Sequence, residues 1–507
     1  MRVALLTEGG YPYAQGELVG WTDRLVRGLP WHDFEVRALS RGRQQARGPR
    51  CPTPPQVRLV RTAPLWGPPP GGRPGRAVAR GYAAAFEELA IGLTEDEPSG
   101  PGILRDRFTN GLLGLAELAA EHGGLPRWLA SDQAIAVLES GCRLPGAPRA
   151  AVGAGIGDLL TVAERLERAL RPLSLDWYGG PGLAPGLDAV DLCHAVGGGP
   201  AALPGLLARH LHGTPLLVTE FRVRLREHHL TALAGAGAGH VVSPSAARAP
   251  VRALLAAFQL RLARAVYAAA ELITPGDARA GRWQRRCGAD PARQRQVRQG
   301  IDPRPLLAAA ERAAPPPLPL LVTAGPVDEE RDADGLLRAF ALVHAAEPAA
   351  RLLVVGGPAD SGGLPGATPA VRWCPPGSVL AGARARDGGR ADSWAGATLA
   401  VCVAPPDGFP LALVEAMFCG LAVVAPERGR AAETLGRAGI LVPAGDPAAL
   451  AAACLALLRD PGRRELLGAR ARARALELFT VERGIAAVDA GYAEAARGAV
   501  PFAQERA

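Results

Sequence analysis

The sequence contains no lysine. Its 57 strong bases are all arginine, set against 49 acidic residues in 507, a formal charge of +8. A GC-rich coding preference accounts for the bias, since Ala, Gly and Pro are abundant too. The physical consequence is that any phosphate contact has to come from guanidinium, imidazole or backbone amides. Spread over this length, +8 is modest. The densest cluster, Arg282 to Arg298, carries no recognisable nucleic-acid-binding signature and reads as a solvated basic surface. Contact with an acidic membrane surface has the same charge behind it and nothing else.

Other features are scarce. Aromatics make up 5% of the chain, and the eight cysteines are scattered with no Cys-x-x-Cys pair. That spacing excludes a zinc site or a disulfide framework and fits buried thiols in a reducing compartment. His228-His229 has no third ligand at metal-binding spacing, so no metal site is expected. The longest apolar stretch, 251 to 274, is interrupted by Arg252, Arg261 and Arg264 and cannot span a membrane. The opening MRVALLTEGG is too short in its apolar run for a signal peptide. The expectation is a cytoplasmic protein.

What is present is a globular composition, 48% apolar, long enough for two or three domains. RVALLTEG reads as a buried parallel strand entering a glycine loop, with a helix from Leu18 to Gly28. FEVRALS (34–40) reads as a second strand. Residues 41 to about 75 are rich in Pro, Gly and Arg and read as a loop excursion. From 77 to 170 the period is helical, so 41–170 reads as an insertion. Alternation resumes with strands in DLCHAV (191–196), PLLVTE (215–220) and ELITPG (271–276). After the Pro-rich stretch 313–319 come six more short apolar runs: LLVTAG, RLLVVGG, VRWCP, LAVCVAP, LAVVAP and ILVPAG. Strand–helix alternation of this regularity predicts two doubly wound parallel sheets. The expected boundaries are 1–312, 313–480 and a helical tail, 481–507.

The strongest constellation is PPDGFPLALVEAMFCGLAVVAPERGRAAET. A strand ends at Pro405-Pro406 and a helix is expected near Pro410, where proline suits the first turn. The amides of Gly408, Phe409, Pro410 and Leu411 would then form an anion site at the carboxyl edge of a sheet. Asp407 and Glu415, eight residues apart, bracket that turn, and Glu433 follows one strand later. Carboxylates so held accept hydrogen bonds from sugar hydroxyls. Singly, each also reads as a helix-capping or surface acid.

This run resembles the donor-site signature of retaining GT-B glycosyltransferases of family 4. The opening Glu8-Gly-Gly-Tyr-Pro-Tyr13-Ala-Gln-Gly16-Glu-Leu-Val-Gly-Trp21 is similar to the PelF-like branch (DUF3492) of that family, as are DLCHAVGGGPAALPGLLARHLHGTPLLVTE and ITPGDARAGRWQRRCGADPARQRQVRQGIDP. The resemblance implies the GT-B fold, an α/β architecture of two Rossmann-like domains facing a cleft. It also implies a metal-independent transfer from a UDP- or GDP-linked sugar to a polysaccharide or glycoconjugate, with no separate cofactor. Asp407 would contact the donor sugar, Glu415 the ribose and Arg331 the diphosphate, with Gly16 and Gly325 letting the donor approach backbone. Asp407, Arg331 and Glu8 are the expected catalytic residues. Glu8 and His194, at the ends of first-domain strands, would stand on the acceptor side with Tyr13 and Arg222, although a buried His with its hydrogen bonds satisfied also describes His194.

The sequence departs from that family at functional positions. Glu17 replaces the second glycine of the first loop, and Phe221-Arg222 replaces His-Gly after Thr219-Glu220. The element Gly325-Pro326-Val-Asp-Glu-Glu-Arg331 keeps one of two cations. Only about a dozen residues join LLVVGG to VRWCP, where a helix is usual. Each preorganised charge contributes on the order of a hundredfold in rate. These departures therefore carry an alternative expectation, a catalytically silent GT-B-fold binding or regulatory subunit, unless Arg222 or Arg224 substitutes in space.

Overall fold

The computed structural model describes residues 1–14, 16–95, 107–179, 186–228, 248–325, 330–356, 370–374, 388–402 and 409–498, without the side chains of 44, 46, 330–332 and 388–390. The chain divides into two compact units, 1–297 with 487–507, and 298–486.

The first unit is built on six parallel strands: β1 (Arg2–Glu8), β2 (Asp33–Ser40), β3 (Val57–Pro64), β4 (Leu192–Val196), β5 (Leu216–Glu220) and β6 (Leu272–Pro275). Their order is β3-β2-β1-β4-β5-β6. The order reverses between β1 and β4, and in doubly wound sheets ligands bind outside the carboxyl ends of the strands at that point. β4, β5 and β6 are buried at every residue, as expected of strands covered on both faces. Side chains alternate between the faces. Cys193 and Ala195 join the core that the helices Arg76–Thr94, Arg107–His122 and Ile156–Leu170 supply with Phe86, Phe108 and Leu166. His194 points the other way, toward Trp21 of the helix Glu17–Gly28 and Tyr492 of the helix Val481–Gly498.

The expected excursion at 41–75 is only partly a loop, because it contains β3. This strand pairs with β2 at the sheet edge, and its Arg58, Leu59 and Arg61 are solvated or half-solvated. An edge strand need not alternate cleanly, which is why its arginines masked it. Between 76 and 170 the elements among the described residues are all helices, with no strand.

The second unit repeats the plan with β7 (Leu320–Ala324), β8 (Arg351–Val355), β9 (Val371–Cys374), β10 (Leu399–Val401), β11 (Val423–Pro426) and β12 (Ile440–Val442), ordered β12-β11-β10-β7-β8-β9. Its switch point lies between β7 and β10. Leu352 and Val354 face the helices Glu330–Ala346 and Pro447–Arg459 through Phe340 and Leu457. Leu353 and Val355 belong to the opposite core with Met417, Phe418 and Trp394. Each fully buried Leu, Val or Phe contributes roughly 1.5–3 kcal/mol relative to exposure.

Two expected boundaries move. The helix Arg304–Arg312 counts with the second unit because Leu306 and Ala309 enter its core, so the division falls at 297/298 rather than 312/313. The described residues from 487 to 498 are not a separate tail. They count with the first unit, whose sheet Tyr492 meets. Among the described residues no helix is long and apolar enough to cross a membrane.

Candidate functional site

At the first switch point the loop after β1 opens with Glu8, nine-tenths buried, between two arginines. Arg41 Nε donates to Glu8 Oε1 at 2.8 Å, and Arg224 donates through one terminal nitrogen to Oε2 at 2.6 Å. Burial alone raises this carboxyl, but the charges of Arg224 and Arg41 outweigh it and hold Glu8 below the usual 4.5. Glycine is required beside it. Gly9 has φ of 65°, and a Cβ there would come within 2.8 Å of Arg41 Cδ.

β4 is followed by Gly197-Gly198-Gly199, against which lie Glu220, the last residue of β5, and Arg224 beyond it. A Cβ on Gly198 would lie 2.7 Å from Glu220 Oε1, and one on Gly199 would lie 3.1 Å from Arg224 Nε. Glu220 is wholly buried. Burial raises its carboxyl to about 6, although the Tyr267 hydroxyl and the Arg224 backbone N–H both donate to it and pull the other way. Neither Arg41 nor Glu220 was among the expected site residues. Their signal was positional, since each stands at or just past the carboxyl end of a strand.

The expected acceptor-side residues separate. His194 is fully buried, with Nδ1 2.8 Å from the Tyr492 hydroxyl and Nε2 2.7 Å from Thr219 Oγ1, which in turn meets Thr274 Oγ1 at 2.6 Å. Burial lowers its pKa to about 3, so the ring is neutral. With both nitrogens engaged and no exposed surface, His194 is a core residue and not an acceptor contact. Arg222 is exposed and lies 3.8 Å from Glu227, whereas Arg224, with Arg41, reaches Glu8. Tyr13 is half-buried, which raises its hydroxyl pKa, and its backbone N–H donates to the Gly10 carbonyl. Gly16, with φ of 132°, precedes the helix Glu17–Gly28, and Glu17 in its first turn interacts electrostatically with Arg24. Phe221, at the position of the family histidine, is buried with its ring 4.9 Å edge-on from Trp21.

In the second unit Gly325, φ 127°, follows β7, and its N–H donates to the Val355 carbonyl. Arg331 lies in the helix Glu330–Ala346, but its side chain falls outside the described residues, as do Pro326, the segment 357–369, Asp407 and Gly408. Phe409 is buried beside Phe479, and Pro410 caps the helix Leu411–Phe418. One expectation changes here. Leu411 N–H donates to the Phe409 carbonyl at 2.8 Å and Pro410 has none, so neither amide faces a ligand in this conformation. The helix starts at Leu411, near Pro410 as expected. Glu415 is half-buried and accepts from Trp394 Nε1 at 3.0 Å, a partner the sequence did not suggest. Glu433 lies in the first turn of the helix Ala431–Leu435.

A pocket of about 210 Å³ opens elsewhere, at the ends of β11 and β12, lined by Arg338, Pro426, Asp446 and Pro447. None of the helix Leu411–Phe418 lines it, and Arg338 there is paired with Asp334 at 2.6 Å.

Two parallel sheets, each with the strand order of a dinucleotide-binding fold, define the GT-B class. The solved structure of Anabaena HepE in complex with UDP aligns over 97% of this chain and 100% of its own, with a TM-score of 0.55 at 13% identity. The sucrose-phosphate synthase of Thermosynechococcus elongatus aligns over 97% and 98%, with a TM-score of 0.50 at 18% identity. Residues 1–292 match the family described as domain of unknown function DUF3492, and the chain belongs to that family. Residues 318–460 match the family described as glycosyl transferases group 1. Among curated relatives, D-inositol 3-phosphate glycosyltransferase 2 of Catenulispora acidiphila is 34% identical over 221 residues, 39% of this chain and 50% of that protein. The D-inositol 3-phosphate glycosyltransferase of Streptomyces bingchenggensis is 31% identical over 257 residues, 46% and 54% respectively. The chain spans about half the length of the curated relatives it matches.

Proposed function

We propose that the protein is a retaining, metal-independent glycosyltransferase, acting in the cytoplasm from a UDP- or GDP-linked sugar onto a polysaccharide or glycoconjugate. The observation that carries this reading is the helix Leu411–Phe418. It begins just past β10, beside the switch point of the second sheet and inside the matched glycosyl transferase domain, with the half-buried Glu415 carboxylate held by Trp394. In this reading Glu415 accepts from the ribose hydroxyls and Asp407 from the donor sugar, while Arg331 neutralises the diphosphate, with Gly325 beside it. The reaction breaks the bond between the anomeric carbon and the diphosphate oxygen and forms a new one to an acceptor hydroxyl, whose proton leaves with the departing phosphate. Arginine and backbone amides supply the charge stabilisation a metal would otherwise give.

A second reading, a silent binding subunit of the same fold, is favoured by one observation: Phe221, at the position of the family histidine, is buried with its ring edge-on against Trp21. Titration with UDP, GDP and their sugars, followed by an assay for slow donor hydrolysis in EDTA, separates the two. Binding with turnover that survives EDTA supports the enzyme, binding without turnover supports the silent subunit, and no binding rejects both. Glu415→Ala is expected to weaken nucleotide affinity by roughly 10- to 100-fold, the cost of a hydrogen bond to a charged group. Unchanged affinity would remove the ribose role.

A further inference from the structure

Glu8, Arg41 and Arg224 come from three places far apart in sequence and meet at the carboxyl ends of β1, β2 and β5, beside the switch point of the first sheet. The packing is specific to them. Gly9 leaves the space the Arg41 stem crosses, and Gly199 leaves the space for Arg224 Nε. Glu220 fixes the turn that delivers Arg224 by accepting its backbone N–H, and is itself held by Tyr267. Glu8 occupies one N–H of each guanidinium. Among the described residues the remaining side-chain N–H groups of both arginines have no hydrogen-bond partner, and half of Arg41 and a third of Arg224 remain open to solvent. A buried carboxylate that holds two arginines, with most of their donors unused, presents two guanidinium groups suited to an oxyanion. Guanidinium matches carboxylate and phosphate oxygens two at a time, where an ammonium acts as a point charge.

We infer that Arg41 and Arg224, aligned by Glu8, form an oxyanion seat on the first unit that holds a phosphate or carboxylate group of the acceptor. The assignment to the acceptor rests on the glycosyltransferase reading above; the seat itself does not. The other source of the same chemistry is the diphosphate of the donor. Glu220 is a positioning residue for the seat, since it acts through the Arg224 turn.

The test is calorimetric titration of the full chain at low salt with inorganic phosphate, and separately with UDP. Parent, Arg41→Gln, Arg224→Gln and the double variant are compared, and a thermal melt of each verifies folding. Phosphate is expected to bind the parent, to weaken about tenfold or more in each single variant and to be lost in the double one. UDP affinity should stay within about twofold of the parent. Arg224→Lys, which keeps the charge and the stem, is expected to fall between parent and Arg224→Gln. If UDP affinity drops in step with phosphate affinity, the seat holds the donor and the acceptor assignment is overturned. Phosphate that fails to bind the parent, or binds all folded variants equally, overturns the seat. Failure of UDP and GDP to bind the parent would reject the glycosyltransferase reading and leave the phosphate result to stand or fall separately.

Discussion

His194 is where the chemistry of a single residue is most exposed to test. It is neutral in the folded protein because burial drives its pKa to about 3, while in the unfolded chain it titrates near the usual 6.5. Below 6.5 the unfolded state therefore binds a proton that the native state refuses until about 3. Native stability is lost as pH falls across that window, by up to about 1.4 kcal/mol per pH unit. His194→Asn should flatten urea stability measured between pH 4 and 6 by about one proton. An unchanged slope would mean that the ring is not buried as described. Tyr492→Phe, which leaves the imidazole one partner short, should cost about 1–3 kcal/mol at neutral pH. Phe221 teaches the converse. The sequence showed a departure from the family at this position, but not that the ring fills apolar space against Trp21. Phe221→His is thus expected to destabilise the first unit, since it places a polar ring in an apolar contact, and a restored imidazole there does not by itself restore a site.

Among the elements, the helix Pro461–Leu478 has a role its composition hides. Its arginines alternate at 470, 472 and 474, and residues two apart point in different directions on a helix. Arg472 donates to the carbonyls of Phe418 and Cys419 at 3.1 and 3.0 Å, closing the end of the helix that carries Glu415. Arg474 donates to those of Thr434 and Glu433, both at 2.8 Å. Cations placed on helix C-terminal carbonyls satisfy orphan acceptors and the helix dipole. Arg472→Ala is expected to lower the stability of the second unit by about 1–2 kcal/mol in chemical denaturation, and Arg472→Lys to recover only part of that, lacking the planar fork. The element missed from the sequence, β3, was hidden for a related reason. Arg58 and Arg61 reach solvent because their strand lies at the sheet edge, and which strand is the edge is decided by pairing, not by local pattern.

For the molecule as a whole, residues far apart in sequence fix the first unit. The sheet is opened by β1 at the amino end of the chain, and one of its faces is covered in part by Tyr492 near the carboxyl end. His32 and Asp489 add a 2.7 Å pair to the same docking. Truncation after Thr480 removes Val488, Tyr492 and Ala495 from buried positions. It should therefore lower the melting temperature of the first unit by several degrees, with His32→Ala giving a smaller shift in the same direction. The sequence by itself determined the class of fold, eleven of the twelve strands and the motif around Glu415, because buried parallel strands and helix starts are written in local runs of residues. Only the tertiary structure decided that His194 is core, that Leu411 has no amide to offer, and that Arg41, Glu8 and Arg224 stand together. The first and last depend on side chains from elements far apart in sequence meeting on one sheet, and the second on a backbone bond back to the Phe409 carbonyl; no local pattern records any of them.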